Sequence, residues 1–213
     1  MIVYWTLLLL TALVAYLFGS MDTLVLASNF VFHRNLLRLG NHNSWLSNFK
    51  RLYGYGGFFR LLAVELVKDL IPILIGSLLF GIRGHADVGR AFAGFVLVLG
   101  RLWPALYRFK GSHAAIAMLV AGFCAGTSVG AAGMIAAAVV VAVTRYLTLG
   151  TLAGAVVCVM VAVLAVDDAL LLRLMLLTAG LVFVRHIPAV VRLIRRTEPR
   201  LSLEEDITYK LDE

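Results

Sequence analysis

Hydrophobic residues run along this chain in long, unbroken blocks instead of alternating with polar ones. The first block covers about 2–18, and others cover about 58–80, 88–107, 113–126, 131–145, 150–166 and 169–184. A helix needs about 20 apolar residues to cross the roughly 30 Å hydrocarbon layer of a bilayer. Lipid offers no hydrogen-bond partner to a bare backbone, so a crossing segment is a helix or part of a closed barrel. Barrel strands alternate between lipid and lumen, and these blocks do not. The pattern predicts an all-α, polytopic membrane bundle of about seven transmembrane helices, several of them short, forming a single domain over 1–213.

Composition agrees. Hydrophobic residues fill 62% of the 213 positions, charged residues 15%, and mean hydropathy is +0.94, far above the balance of a water-soluble domain. The opening residues Met1 to Trp5 carry no side-chain charge, so the first block lacks the basic start of a signal peptide and reads as a retained helix. Cys124 and Cys158 both lie inside apolar blocks, where a thiol packs as a small hydrophobe. They imply neither a disulfide framework nor a CxxC metal or redox site. Gly122, Ala125, Gly126, Gly130, Ala131 and Gly133 suit close helix packing in the fourth and fifth spans.

Two polar stretches complete the layout: a long loop over about 22–57, and a tail over about 185–213 that is basic first and acidic later. The formal charge of +7 would suit nucleic acid. Beside membrane helices, however, basic residues report orientation and contact with anionic headgroups, so membrane lipids and not nucleic acid are the expected partners. Seven crossings put the termini on opposite sides. With the tail in the cytoplasm, that side holds 14 of the 19 Lys and Arg residues, the outer side holds only Arg83 and Arg90, and Lys68, Arg101 and Arg173 fall within spans. The expected topology is N-terminus outside and C-terminus cytoplasmic.

Glu65, Lys68 and Asp69 fall inside the second span, where charge is costly unless it is paired or lines a wet cavity. Lys68 and Asp69 lie one helical turn from Glu65, a spacing that allows an internal pair. A transporter would use the same residues as a proton or ion relay, but the sequence shows no internal repeat of the kind many transporters carry.

This orientation collects the polar, Gly-containing connectors on the inner face: the 22–57 loop, a turn over 108–113, a turn over 145–151, and the tail. Free backbone N–H groups at Gly turns and helix starts, with Arg and Lys nearby, make an anion pocket. Read blandly, the same segments are short connectors carrying inside-positive charge.

The order of residues in these connectors resembles the bacterial membrane glycerol-3-phosphate acyltransferases that use acyl phosphate, the PlsY type. That family has Gly-Ser after its first helix, matched by Gly19 and Ser20, and then a loop of form GSGNxGATNxxRxxG. Gly40, Asn43, Asn48, Arg51 and Gly54 match this loop; Ser47 stands for its Thr, Asn41 for a Ser and Trp45 for a Gly. A second pattern, GHxxPxxxxFKGGKGxAT, is matched at Gly100, Pro104, Phe109, Lys110 and Gly111. There, Arg101 replaces the leading His, and Ser112, His113 and Ala114 replace Gly-Lys-Gly. A third, RYxSLxS, is matched by Arg145, Tyr146, Thr148, Leu149 and Thr151, with hydroxyls retained as Thr. The closing pattern, HRENIxRLxxGTE, keeps His186, Arg192, Thr197 and Glu198, whereas its Arg-Glu-Asn core is Ile187, Pro188 and Ala189.

The resemblance implies transfer of a fatty acyl group from acyl phosphate to the 1-hydroxyl of glycerol 3-phosphate, releasing phosphate and lysophosphatidic acid for phospholipid synthesis. It also implies a multi-pass protein of the bacterial plasma membrane, an active face in the cytoplasm, and no cofactor or metal. Arg51, His113 and His186 take the catalytic positions. The phosphate- and substrate-binding positions fall on Asn41, Asn43, Ser47, Asn48, Lys110, Gly111, Ser112, Arg145, Thr148, Arg192 and Glu198. The family places an acidic residue and a Lys where Glu65 and Lys68 stand, which fits a brace beneath that face.

The chemistry supports such a set independently. Two phosphate anions brought together need several cationic or N–H donors, and Arg51, Lys110 and Arg145 are the cations at hand, with Asn43, Asn48, Ser47 and Thr148 as neutral donors. No Ser-His-Asp order or HxxxxD motif supplies a base, and the only inner carboxylate near the patterns is Glu198. A substrate phosphate, whose second pKa lies near ~6, can take the proton instead. His113 contributes as a cation only when protonated, a form that adjacent phosphate favours; otherwise it is the polar first residue of a helix. A second reading starts from His113 and Ala189: a catalytically weakened paralogue that binds phospholipid or an anionic partner through the same basic face. Oligomeric state does not follow from the sequence.

Overall fold

The computed structural model describes residues 2–23, 45–107, 109 and 115–198. Among them are seven α-helices: α1 (Ile2–Ser20), α2 (Trp45–Gly81), α3 (Ala86–Leu102), α4 (Ala115–Ala125), α5 (Thr127–Thr144), α6 (Leu147–Ala165) and α7 (Ala169–Ile194). A single 3₁₀ turn, Ala105–Tyr107, precedes α4. The all-helical architecture follows the sequence pattern. Four helices, α1, α5, α6 and α7, are long and apolar enough to cross a bilayer, and Ile116–Ala125 forms a shorter apolar helix.

α3 is the central element, packing against α1, α2, α4 and α7, while α5 and α6 lie against each other at the far side. The core is built from small and medium side chains such as Ala15, Ala93, Leu97, Met118, Val129, Ala155 and Cys158. Its outer surface is just as apolar: Leu9 is 69% exposed, Leu78 72% and Leu164 86%. A water-soluble bundle hides such residues, whereas lipid solvates them.

Without a hydrophobic force to drive helices together in lipid, association relies on close contact at small residues. A Cβ added to Gly19 would lie 2.2 Å from the Leu97 carbonyl oxygen, and one added to Gly133 would lie 2.1 Å from Cys158 Sγ. The first contact joins α1 to α3, and the second joins α5 to α6. The expected tight packing around Gly133 is therefore present.

Several helix ends differ from the hydropathy pattern. The second helix does not begin near 58 but at Trp45, so the last thirteen residues of the expected 22–57 loop are helical apart from a break at Gly54, with φ 64° and ψ −170°. This non-helical conformation, which glycine adopts readily, divides α2 into a short segment before Gly54 and a long one after it. α3 stops at Leu102, five residues short of the expected 107, because Pro104 disfavours helix at the residue before it. The seventh helix runs ten residues past 184 to Ile194, about 39 Å of helix at 1.5 Å per residue. Val182, His186 and Ala189 share a buried stripe, so the helical period continues where mean polarity rises.

The charges inside α2 do pair. Lys68 Nζ lies 3.3 Å from Glu65 Oε1 and 3.4 Å from Asp69 Oδ1. A fourth group joins them from the neighbouring helix: Arg101 of α3 contacts Glu65 and, at 3.3 Å, Asp69.

Candidate active site

The connector between α5 and α6 is very short. α5 ends at Thr144 and is capped by Arg145, which is left-handed (φ 60°, ψ 20°) and donates its N–H to the Val141 carbonyl at 2.8 Å. A non-glycine residue adopts this region at a cost of about 1–2 kcal/mol. Tyr146 is extended and α6 starts at Leu147. The expected turn over 145–151 is thus two residues long, and Thr148 and Thr151 belong to the start of α6. Thr151 Oγ1 donates back to Leu147 O at 2.9 Å.

α7 closes with a Schellman arrangement. Thr197 N–H donates to Arg192 O at 2.9 Å and Arg196 N–H to Leu193 O at 3.0 Å, with Arg196 at φ 58°; this geometry satisfies the last free carbonyls of a helix. It also turns the chain back on itself. Glu198 thereby reaches two partners: its Oε2 accepts from Arg192 Nε at 2.7 Å, and its Oε1 accepts from Thr148 Oγ1 at 2.5 Å. Glu198 and Thr148 are both buried, whereas Arg192 is partly exposed. The carboxylate is therefore neutralised and hydrogen-bonded on both oxygens, and it pins the tail to the start of α6.

His186 lies on the buried face of α7, two turns before this end. Its Nδ1 is 2.8 Å from Val182 O; since a carbonyl only accepts, Nδ1 carries a proton. The contact fixes the ring plane. Pro188, two residues on, has no N–H to offer the preceding turn of α7.

The second pattern starts at the C-terminal end of α3. Gly100 packs on α1, where an added Cβ would lie 2.5 Å from Tyr16 O. Beyond Leu102, Phe109 N–H donates to Pro104 O at 2.9 Å, with Phe109 at φ 61°, closing a six-residue turn. The retained Gly100, Pro104 and Phe109 are thus backbone-shaping positions that lead the chain toward Lys110.

Of the residues singled out from sequence, Thr148, Arg192 and Glu198 are brought into one hydrogen-bonded group. His186 sits on the same helix as Arg192, and Arg145 lies three residues before Thr148. Ser47, Asn48 and Arg51 fall on the helical segment ahead of Gly54, with positions 47 and 51 one turn apart. Asn41, Asn43, Lys110, Gly111, Ser112 and His113 lie outside the described residues. The sequence reading missed Arg101 as the partner of Glu65 and Asp69. One signal was available: two acids and a single Lys within one span leave a carboxylate to be matched from another helix.

With this geometry in view, a family profile described as glycerol-3-phosphate acyltransferase matches residues 9–196. The chain belongs to that family. Its relatives include the glycerol-3-phosphate acyltransferase of Thermoanaerobacter sp. (strain X514), 25% identical over 198 residues that cover 93% of this chain and 98% of the relative. That of Coxiella burnetii (strain CbuG_Q212) is 27% identical, covering 92% and 98%. The fold is that of PlsY, an integral membrane glycerol 3-phosphate acyltransferase solved in its glycerol 3-phosphate form: the TM-score is 0.77 at 20% identity, over 95% of this chain and 99% of the other. A lysophosphatidic acid form of PlsY superimposes with a TM-score of 0.74 at 21% identity. Family membership, a membrane-embedded all-helical fold and the PlsY type all agree with the resemblance found in the connectors.

Proposed function

We propose that this chain is an acyl-phosphate-dependent glycerol-3-phosphate acyltransferase of the bacterial plasma membrane, with its active face in the cytoplasm and seven crossings that put the N-terminus outside. The observation that carries the reading is the Thr148–Glu198–Arg192 group: residues from two separate family patterns, 50 positions apart in sequence, meet at the α5–α6 connector. The relatives are glycerol-3-phosphate acyltransferases by name, and one solved PlsY is a glycerol 3-phosphate form.

In the proposed reaction the 1-hydroxyl oxygen of glycerol 3-phosphate attacks the carbonyl carbon of the acyl phosphate. The carbon–oxygen bond to phosphate breaks, inorganic phosphate leaves, and the hydroxyl proton passes to a phosphate oxygen. The protein's task is to bring two anions together and hold the leaving one. Arg51, Lys110 and Arg145 supply positive charge; Asn41, Asn43, Ser47, Asn48, Gly111 and Ser112 supply N–H and O–H donors. His113 and His186 complete the site. Glu198 does not act as the base, because both of its oxygens are already engaged. Thr148 commits its single proton to Glu198, so its role is to position the α6 start and not to donate to phosphate.

The test is product formation by the purified protein in lipid, given acyl phosphate and labelled glycerol 3-phosphate. Labelled lysophosphatidic acid is expected, lost in Arg51→Ala and in Lys110→Ala. No product, under conditions where another family member works, overturns the reading and leaves the non-catalytic paralogue. Flux of glycerol 3-phosphate into liposomes without acylated product would point to transport.

A further inference from the structure

Four charged side chains are buried where α1, α2 and α3 meet: Glu65 at 3% exposure, Lys68 at 7%, Asp69 at 0% and Arg101 at 4%. Two acids and two bases balance one another within these four, and half-buried Asp22 also acts on Lys68. Charge balance does not explain the presence of the group, since apolar side chains of similar volume often serve stability as well or better.

Both cations share a further acceptor. Lys68 Nζ donates to the Met21 carbonyl at 2.8 Å, and Arg101 Nη1 reaches the same oxygen at 3.4 Å. Met21 directly follows α1, and its own N–H still points back to Leu17 O at 3.1 Å and Phe18 O at 3.3 Å. Carbonyls at a helix C-terminus lack intrahelical donors and carry the negative end of the helix dipole. Two cations aimed at that oxygen therefore form a charged clamp on the end of α1, with Glu65 and Asp69 holding the cations in place.

The same ends are joined elsewhere. Tyr16 OH donates to Trp103 O at 2.7 Å, and Gly19 packs on the Leu97 carbonyl. The chain leaving Met21 runs in sequence to Asn41, Asn43 and Arg51, and the chain leaving Trp103 runs to Lys110 and His113. Arg101 stands where the family pattern has His. A guanidinium offers five N–H donors in a fixed fork and can hold two carboxylates and a carbonyl at once, which an imidazole cannot.

We propose that Lys68 and Arg101 are positioning residues: by clamping the Met21 carbonyl they fix the C-terminal end of α1 against α2 and α3, the ends from which the chain runs on in sequence toward Asn43 and Lys110. The proposal deepens the acyltransferase reading and rests on it for its kinetic consequence. Its structural consequence stands apart.

The experiment compares two charge-balanced double variants, K68Q/D69N and E65Q/R101Q, with R101K in lipid nanodiscs. Steady-state kinetics and backbone hydrogen exchange are measured on the full chain. Each double variant is expected to raise KM for glycerol 3-phosphate about fivefold or more while kcat stays within about twofold, the sign of weakened ground-state binding. Exchange at residues 17–23 should quicken about tenfold or more, with α5 and α6 unchanged. R101K, which keeps the charge but loses the fork, should raise KM by less than the double variants do. Unchanged KM and unchanged exchange in folded double variants would overturn the proposal. Failure of both doubles to fold would also overturn it, making the group a brace for the whole bundle. If the parent makes no product, the acyltransferase reading fails, while the exchange data still decide whether the clamp exists.

Discussion

Thr148 and Glu198 are 50 residues apart in sequence, yet the threonine hydroxyl donates to the carboxylate at 2.5 Å while Arg192 Nε occupies its other oxygen at 2.7 Å. The bond ties the residue just beyond α7 to the first turn of α6. Removal of the carboxylate would leave Thr148 buried without this partner and Arg192 without its counter-ion. Glu198→Ala should therefore lower stability by about 1–3 kcal/mol, the usual cost of losing a buried hydrogen bond to a charged group. Glu198→Gln, which keeps an acceptor for Thr148, should lose less. Thermal unfolding in detergent checks the order; equal melting temperatures for all three proteins would show that the group contributes nothing to stability.

The close contact of α1 with α3 makes a second, steric prediction. At Gly19 even a methyl group meets backbone, and backbone cannot rotate aside. Gly19→Ala should cost at least the ~1–3 kcal/mol typical of overpacking, with Gly19→Leu giving no folded protein. Gly180, also helical, has open space where its Cβ would stand, so Gly180→Ala should be neutral or stabilising by up to about 1 kcal/mol. Yield and melting temperature of the monodisperse fraction distinguish the two sites.

At the N-terminal end of α7, Asp168 caps the helix, its Oδ1 accepting from Leu170 N at 2.7 Å and Leu171 N at 3.1 Å. Asp168→Ala should cost about 1 kcal/mol and Asp168→Asn only a few tenths. Because this cap lies far along α7 from His186, neither change should alter KM for glycerol 3-phosphate. A changed KM at an unchanged melting temperature would mean that the N-terminal end of α7 communicates with the candidate site.

The proposed placing of His113 at a cationic position of the family pattern predicts a distinctive pH response of acyl transfer. An imidazole loses its charge on deprotonation across the neutral range, whereas a lysine keeps its charge well above it. If His113 serves as a cation to phosphate, its contribution is present at low pH and lost as pH rises. The ratio of His113→Lys to parent turnover should therefore grow several-fold between about pH 6 and about pH 8. A flat ratio would show that His113 does not serve as a cation.

Much of this protein was legible in its residues. Continuous apolar blocks, the neutral N-terminal segment and the basic bias of the connectors pointed to an all-helical membrane protein, and the order of Gly, Asn, Arg, Lys and Thr in those connectors pointed to its family. Such signals are local: hydropathy is a sum over neighbouring residues, and a connector pattern is read in sequence order. The helix ends were less legible. Near 185–194 the mean polarity rises although the helical period continues, so a window average ends the helix early while the buried stripe of Val182, His186 and Ala189 carries it on.

The sequence alone determined the membrane class, the helical architecture and the family frame, because each depends on solvation of the backbone and on residues close together in the chain. Only the tertiary structure decided that Arg101 pairs with Glu65 across 36 residues, that Glu198 is bound on both oxygens, and that the Met21 carbonyl receives two cations. These contacts depend on how each helix is rotated about its axis and how closely Gly19 and Gly100 let neighbours approach. Rotation and approach are settled by packing the whole bundle at once, and no stretch of sequence encodes them by itself.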